Sequence, residues 1–414
     1  MGKRVVVIGG GVSGLAAARE LAANGCAVTL LEAKDRLGGR VFTAKGADAL
    51  IEYGAEFVHG CAPAFIEEVR RAGLKLDEVS GRNQLFENGR LRVVELWKRV
   101  GEVIEKIDPR TPDRSFAEFL AEQKADSETR KMALGFVEGF NASDARRIGA
   151  HSLLRAEFES ARNQGDQQSR IKLGYRAFVE FLADEARAKG VRIKLNHRVS
   201  NVRWRKGSIV VEGPGREHSG EAVVVTLPLG VLKAGSVKFE PALIHKRDAV
   251  EGILFGNVVK MTLVFRNVWW PEANFGFIQA LDEAIPTWWS DPRGPVLVGW
   301  AAGPKGDALL ARSPGDLQSL AVDALSRILS RPGKSIEAEL VLFAFHNWKE
   351  DVDIRGAYSY LPVNGLDLPK SLAAPVEGTL FFAGEATATD AQMGTVPSAF
   401  ETGLRAAREI MAST

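Results

Sequence analysis

Cysteine is nearly absent. Cys26 and Cys61 are the only two in 414 residues, which excludes a disulfide scaffold and fits a reducing compartment. Long apolar runs are missing too: no stretch reaches the roughly 18 residues that a membrane helix needs, so no membrane span is expected. Neither charge sign is in excess, with 54 Lys plus Arg against 52 Asp plus Glu. Without a basic field, nucleic acid and anionic membranes are not expected partners. The opening "MGKRVVVIGG" is strand-like by Arg4 and glycine-rich by Gly9, which leaves no room for a secretory signal. No anchor follows the last helix, and no repeat or low-complexity segment interrupts the chain. A cytoplasmic protein is the expectation.

What remains is an ordinary globular composition, 45% hydrophobic and 26% charged. The length exceeds one ordinary core, so two domains are expected. Residues 4–8 form a run that is apolar after Arg4, as in a strand buried on both faces. A helix follows from about Ser13 to Ala23 and stops near Asn24-Gly25. "CAVTLLEA" reads as the next buried strand, completing a strand–helix–strand unit and implying a parallel sheet. Residues 62–190 read as mostly helical, with Trp97, Val100, Ile104 and Ile107 on one face of "RVVELWKRVGEVIEKI" and Ser115 as a cap. Strands dominate from Val191 to Leu227, with a Gly-Pro-Gly turn at 213–215, and again over 255–301. A helix at about 315–330 and the strand "LVLFAFHNW" lead into the closing strand–loop–helix segment.

The pattern predicts an α/β chain, α+β overall. A discontinuous Rossmann-like domain would take residues 1–75, 191–240 and 346–414. A domain of mixed sheet and helices, for substrate, would take 76–190 and 241–345.

The first sharp chemical signal is "VVVIGGGVSGLAAARE". Gly9, Gly11 and Gly14 fall between a buried strand and a helix, and Glu32 ends the next strand. That is the context of a dinucleotide fingerprint, with a pyrophosphate on the helix N-terminus and the acid on the ribose. Past the acid, "LLEAKDRLGGRVFT" adds Arg36, Gly38, Gly39 and Arg40 as further diphosphate contacts. A nicotinamide enzyme does not need this extension.

Together with "GAEFVHG" and the closing "FFAGEAT", these segments resemble the FAD-dependent flavin-containing amine oxidase family, which includes monoamine oxidases, polyamine oxidases and histone lysine demethylases. The resemblance runs nearly the whole chain, strongest over 4–60, 174–232 and 345–410. It implies that Gly9, Gly11, Ser13 and Gly14 hold the pyrophosphate and Glu32 the ribose. Lys34 stands where many relatives have Arg. Gly39 and Arg40 would reach the diphosphate and ribityl region, and Gly54, Ala55 and Phe57 the flavin ring. Val199 in "NHRVSNV" matches a backbone contact to adenine, although from the residues alone it reads as sheet core. Gly384 and Glu385 lie in the segment that binds the ribityl chain. The helix opening near Val396 would point its N-terminus at the flavin's N1–C2=O edge.

For chemistry, the resemblance assigns Lys260 of "GNVVKMTLVF" to a water near flavin N5. From the residues alone Lys260 reads as solvent-facing; buried, its pKa would fall and it could be neutral. Trp348 would pack on the ring. Tyr358 matches one wall of an amine cage and Thr395 the other, where monoamine oxidases carry an aromatic. His59 matches a histidine of vertebrate polyamine oxidases; a structural histidine is the other reading. Ala357 stands where covalently flavinylated relatives have Cys, so non-covalent FAD is expected, and no metal.

The implied reaction oxidises the C–N bond of a polyamine or other primary or secondary amine. A hydride equivalent passes to flavin N5, the imine is hydrolysed, and molecular oxygen takes the electrons as hydrogen peroxide. The alternatives are a desaturase or protoporphyrinogen-oxidase-like enzyme on a larger apolar substrate, its cavity lined by the Trp-rich stretch 269–300, an L-amino-acid oxidase, and a non-catalytic flavoprotein. Oligomeric state is open.

Overall fold

The strand Arg4–Ile8 is paired on both sides and, past the exposed Arg4, wholly buried, which is why residues 5–8 are all apolar. The computed structural model describes residues 2–413 except 61, 80, 166, 272–274 and 391; the Cys61 of the cysteine count lies outside them. The first sheet has the strand order Arg192–Lys194, Ala27–Leu31, Arg4–Ile8, Ala222–Val225, Leu380–Phe382, all parallel. Its central strand alternates between two cores. Val5 and Val7 face a layer built with the helices Val12–Ala23, Tyr175–Ala188 and Val396–Ala412. Val6 and Ile8 face a second, four-stranded sheet that includes Asn201–Arg205 and Ser208–Gly213. Covered on both faces, residues 5–8 and the strands Ala222–Val225 and Leu380–Phe382 are wholly apolar, while the edge strand Arg192–Lys194 is not.

The second large sheet has seven strands in the order Leu340–Phe345, Val258–Phe265, Val296–Ala302, Thr287–Asp291, Phe277–Gln279, Asn83–Glu87, Arg90–Val93. Alternation again separates two faces. Val259, Met261, Leu263, Leu297 and Trp288 pack with helix residues such as Leu317 and Leu325 of Pro314–Ile328. The opposite face carries Lys260, Trp300, Thr287 and Gln279. Lys260 pairs with Trp300, Trp300 with Thr287 and Thr287 with Gln279, so the four form one row across the sheet. Helices Leu96–Ile104, Phe116–Glu122, Ser127–Phe140 and Ala150–Arg162 share a further core with Leu85 of this sheet.

The expected helical block from 62 to 190 therefore needs correction. It also holds strands at Leu76–Glu78, Asn83–Glu87, Arg90–Val93 and Gln168–Ile171. Asn83–Glu87 and Arg90–Val93 form a hairpin turned by Asn88 at φ 51° and Gly89 at φ 74°, an Asn-Gly signal of the primed turn type. The cap at Ser115 is present, as a full capping box with Glu118. Among the described residues no helix is long and apolar enough to cross a membrane.

The N-terminal helix and the C-terminal helix cross at Gly403, where an added Cβ would stand 2.2 Å from the Ser13 carbonyl oxygen. Backbone cannot yield as a side chain does. Gly403→Ala should therefore destabilise the protein by about 1–3 kcal/mol, as overpacking does. A thermal melt checks this, and an unchanged melting temperature would show that the helices separate at no cost.

Candidate active site

One cavity of about 490 Å³ runs from the glycine turn at Gly9–Ser13 to an aromatic chamber beside Lys260. At the first end, Gly11 caps the helix Val12–Ala23. Gly14 does not line the cavity; an added Cβ there would stand 2.0 Å from the Gly9 carbonyl oxygen. Its role is close packing of turn on helix. The Ser13 hydroxyl is buried, lines the cavity and has no hydrogen-bond partner. An orphaned hydroxyl at a helix N-terminus is a ready partner for a diphosphate oxygen.

Glu32 accepts from the Gly10 N–H at 2.6 Å and the Lys34 N–H at 2.9 Å. Its carboxyl pKa is raised, chiefly by burial. It braces the turn while facing the cavity, in the place a ribose requires. Gly39, Gly54, Ala55, Val199, Trp348, Gly384 and Val396 also line the cavity. The Trp348 ring is fixed by its N–H on the Tyr53 carbonyl at 3.0 Å. Pro397 has no N–H and the Ser398 N–H is taken by the Thr395 hydroxyl, which leaves the Val396 amide as the last helix's open donor.

Two expected cofactor cations are engaged elsewhere. The Arg36 guanidinium bonds the carbonyls of Leu37, Gly39 and Val41 and lies 4.0 Å over the Phe42 ring. It lines no part of the cavity; it shapes the "RLGGR" turn. The Lys34 ammonium sits between both Asp351 oxygens, at 2.7 and 2.8 Å. A single ammonium held so tightly cannot also serve a diphosphate as a forked arginine would. Arg40 and Glu385 do face the cavity, and they bond each other at 2.7 Å. Glu385 also accepts from the N–H groups of Gly394 and Ser359.

The second end is organised by a carboxylate that the sequence reading passed over. Glu56 is buried and meets Lys260 Nζ at 2.8 Å and Arg170 Nε at 2.7 Å, and accepts from Trp289 Nε1 at 3.1 Å. Lys260 also donates to the Gly54 carbonyl at 3.1 Å. Burial pushes the Glu56 carboxyl up, but Lys260 and Arg170 outweigh that and hold it below the usual range. Lys260 is only 5% exposed, so the solvent-facing reading fails. Lys260 instead completes a buried ion pair with Glu56. The signal was present: Glu56 is the one acid in "GAEFVHG", a segment already assigned to the flavin ring.

Around Lys260 the chamber is aromatic. Tyr358 donates its hydroxyl to the Phe140 carbonyl at 2.7 Å, and Trp300 donates its ring N–H to the Gly139 carbonyl at 2.9 Å. Both carbonyls belong to the end of the helix Ser127–Phe140, where backbone acceptors lack helical partners. Phe57 packs on Phe277 and Trp289, with centroids at 5.7 and 5.5 Å. Trp289 and Trp300 line the cavity, whereas Trp288 and Trp270 are core, so the Trp-rich stretch is divided between the two roles. The Thr395 hydroxyl accepts from Ser398 N–H and donates to the Gln392 carbonyl. It is a helix cap, not an open catalytic hydroxyl.

His59 lines the chamber with its ring edges against Phe57 and Phe140, and Nδ1 has no hydrogen-bond partner. Burial lowers its pKa to about 4, so the imidazole is neutral at physiological pH.

A dinucleotide cradle that opens directly into an aromatic chamber defines a flavin-dependent oxidoreductase. The chain belongs to the flavin containing amine oxidoreductase family, which matches residues 12–411. It is thus an FAD-dependent enzyme of amine oxidation. It is 31% identical to polyamine oxidase 2 of Arabidopsis thaliana over 98% of this chain and 87% of that one. It is 29% identical to polyamine oxidase 4 of Oryza sativa subsp. japonica over 98% and 88%. In fold it is similar to putrescine oxidase bound to putrescine (TM-score 0.84, 22% identity, 100% and 99% covered). It is equally similar to cyclohexylamine oxidase from Brevibacterium oxydans IH-35A (TM-score 0.85, 21% identity, 100% and 99% covered).

The buried imidazole carries a pH signature. A histidine neutral in the folded state down to about pH 4 takes up its proton near pH 6.5 once unfolded. The unfolded state binds more protons between these values, so stability is complete above 6.5 and falls as pH drops toward 4. His59→Gln should flatten the slope of melting temperature against pH in that window. An identical slope would assign the acid sensitivity to other groups.

Proposed function

We propose that the chain oxidises a primary or secondary amine bound in the aromatic chamber, with non-covalent FAD in the cradle and molecular oxygen as electron acceptor. The observation that carries this reading is the continuity of the cavity, with Lys260 at the join between cradle and chamber. FAD, when bound, supplies the two-electron acceptor. The protein's part is placement and electrostatics. Gly9, Gly11 and the Ser13 hydroxyl would hold the diphosphate, Glu32 the ribose, Arg40 and Glu385 the ribityl region, and Gly54, Ala55, Phe57 and Trp348 the flavin ring. The Val396 amide would favour negative charge on the ring's nearest edge.

The Lys260 ammonium has three N–H donors. Two are used, on Glu56 and Gly54, which leaves one to hold a water at the reacting edge. Lys260 therefore acts as a donor, not as a base. The substrate amine must itself be deprotonated to give up a hydride equivalent, and a cationic Lys260 favours that form. Tyr358 and Trp300, both fixed by hydrogen bonds, would flank the amine. His59 would offer a neutral acceptor.

The proposed division of labour is by segment and cuts across the packing: the helix Tyr175–Ala188 shares the core of the first sheet, and Val58–His59 pairs with Gln168–Ile171. Residues 1–75, 191–240 and 346–414 would serve FAD, and 76–190 with 241–345 the substrate. A cytoplasmic setting rests on the low cysteine content alone. Ala357, where covalently linked relatives carry Cys, supports a dissociable flavin.

Acid precipitation of the yellow protein should leave a colourless pellet and all FAD in the supernatant; flavin kept on the pellet would refute the non-covalent claim. Lys260→Met should retain the flavin spectrum while turnover with the best amine drops at least tenfold. Unchanged kinetics would make the lysine a structural residue only.

A further inference from the structure

We infer that the substrate is an amine with one charged nitrogen and an apolar body, and that a second ammonium is rejected by the chamber. This rests on the amine-oxidation reading and specifies its substrate class. Among the described residues four carboxylates line the cavity: Glu32, Glu56, Asp353 and Glu385. None is free to meet a substrate cation. Glu32 holds the glycine turn. Asp353 pairs with Arg198 at 2.8 Å and Lys34 at 3.6 Å. Glu385 pairs with Arg40. Glu56, the one acid at the chamber end, faces two cations, Lys260 and Arg170.

Among the described residues that line the chamber, no carboxylate is left without a cation beside it, and the far end, at Gln279, Thr287 and Leu281, carries no charged side chain. The row Lys260, Trp300, Thr287, Gln279 makes one wall. Three interstrand steps of about 4.8 Å put Gln279 roughly 14 Å from Lys260 along that wall. The Gln279 side-chain oxygen accepts from the Thr287 hydroxyl at 3.0 Å. An alkyl or aryl body finds Trp289, Phe277 and Phe136 along this length. A terminal diamine is doubly protonated near neutral pH, since alkylammonium pKa values lie near 10. Once one nitrogen is deprotonated at the flavin end, the other must still lose its water, with no carboxylate offered in return. Desolvating an unpaired ammonium is expensive.

The comparison that tests this is hexylamine against hexamethylenediamine, which share a carbon chain and differ in the second nitrogen. The holoenzyme is mixed anaerobically with each, and flavin bleaching is followed by stopped flow. The second-order rate of bleaching should be at least tenfold higher for hexylamine. Gln279→Glu, which keeps the acceptor oxygen and adds a charge, should move the ratio at least tenfold toward the diamine. A diamine as fast as hexylamine in the unmodified enzyme overturns the proposal, and so does a ratio unmoved by Gln279→Glu. Bleaching by neither compound nor by any other amine is a different outcome: it sinks the amine-oxidation reading itself.

Discussion

The Glu56 carboxylate ties together parts of the chain that nothing else joins so directly. It belongs to the segment beside the expected flavin ring. It reaches Lys260 and Trp289 on two strands of the large sheet and Arg170 on the strand Gln168–Ile171. A buried ion pair is weak evidence for stability, because desolvation offsets the attraction. Its effect here is one of register. Glu56 thus joins the sheet bearing Lys260 to the FAD-side segment. Without it, two buried cations would lose their shared anion. The same contact thus holds both Lys260 and the sheet that bears it.

The opposite end of the cavity is built on another logic. There the chain supplies empty space, backbone donors and one unpaired hydroxyl, at Ser13. The cations nearby are mostly committed: Arg36 to backbone carbonyls, Lys34 to Asp351, Arg40 to Glu385. A diphosphate in this cradle would be neutralised by the dipole of the helix Val12–Ala23 and by backbone N–H groups more than by side-chain charge. Lys34 serves instead as an ion-pair strut to the "HNWKEDVDIRG" segment.

The first half of this architecture was legible in the sequence because it is local. A strand buried on both faces must be wholly apolar, and a glycine turn between it and a helix has few other uses. The hairpin at Asn83–Val93 was misread because its strands lie at the sheet's end, where Arg90, Leu91, Arg92 and Val93 show no inside–outside alternation. The Asn88-Gly89 turn was the one sign of it. Glu56, Arg170 and Trp289 were illegible as a group for a different reason. Each has an ordinary local context, and their meeting depends on how distant segments pack.

Thr395 lines the cavity and is also the cap of the helix that follows it. Position 395 precedes the helix Val396–Ala412, whose opening residues line the cavity. A helix end there needs a cap, because its first N–H groups have no helical partner. Threonine supplies one, and losing such a cap costs about 0.5–2 kcal/mol. An aromatic at 395 would complete a cage at the expense of that cap. This chain has instead an aromatic wall from the other side: Trp300, adjacent to Lys260 in the sheet and fixed by the Gly139 carbonyl next to the one that fixes Tyr358. The two rings are thus anchored to successive carbonyls of one helix end. The spacing between them is set by the end of the helix Ser127–Phe140.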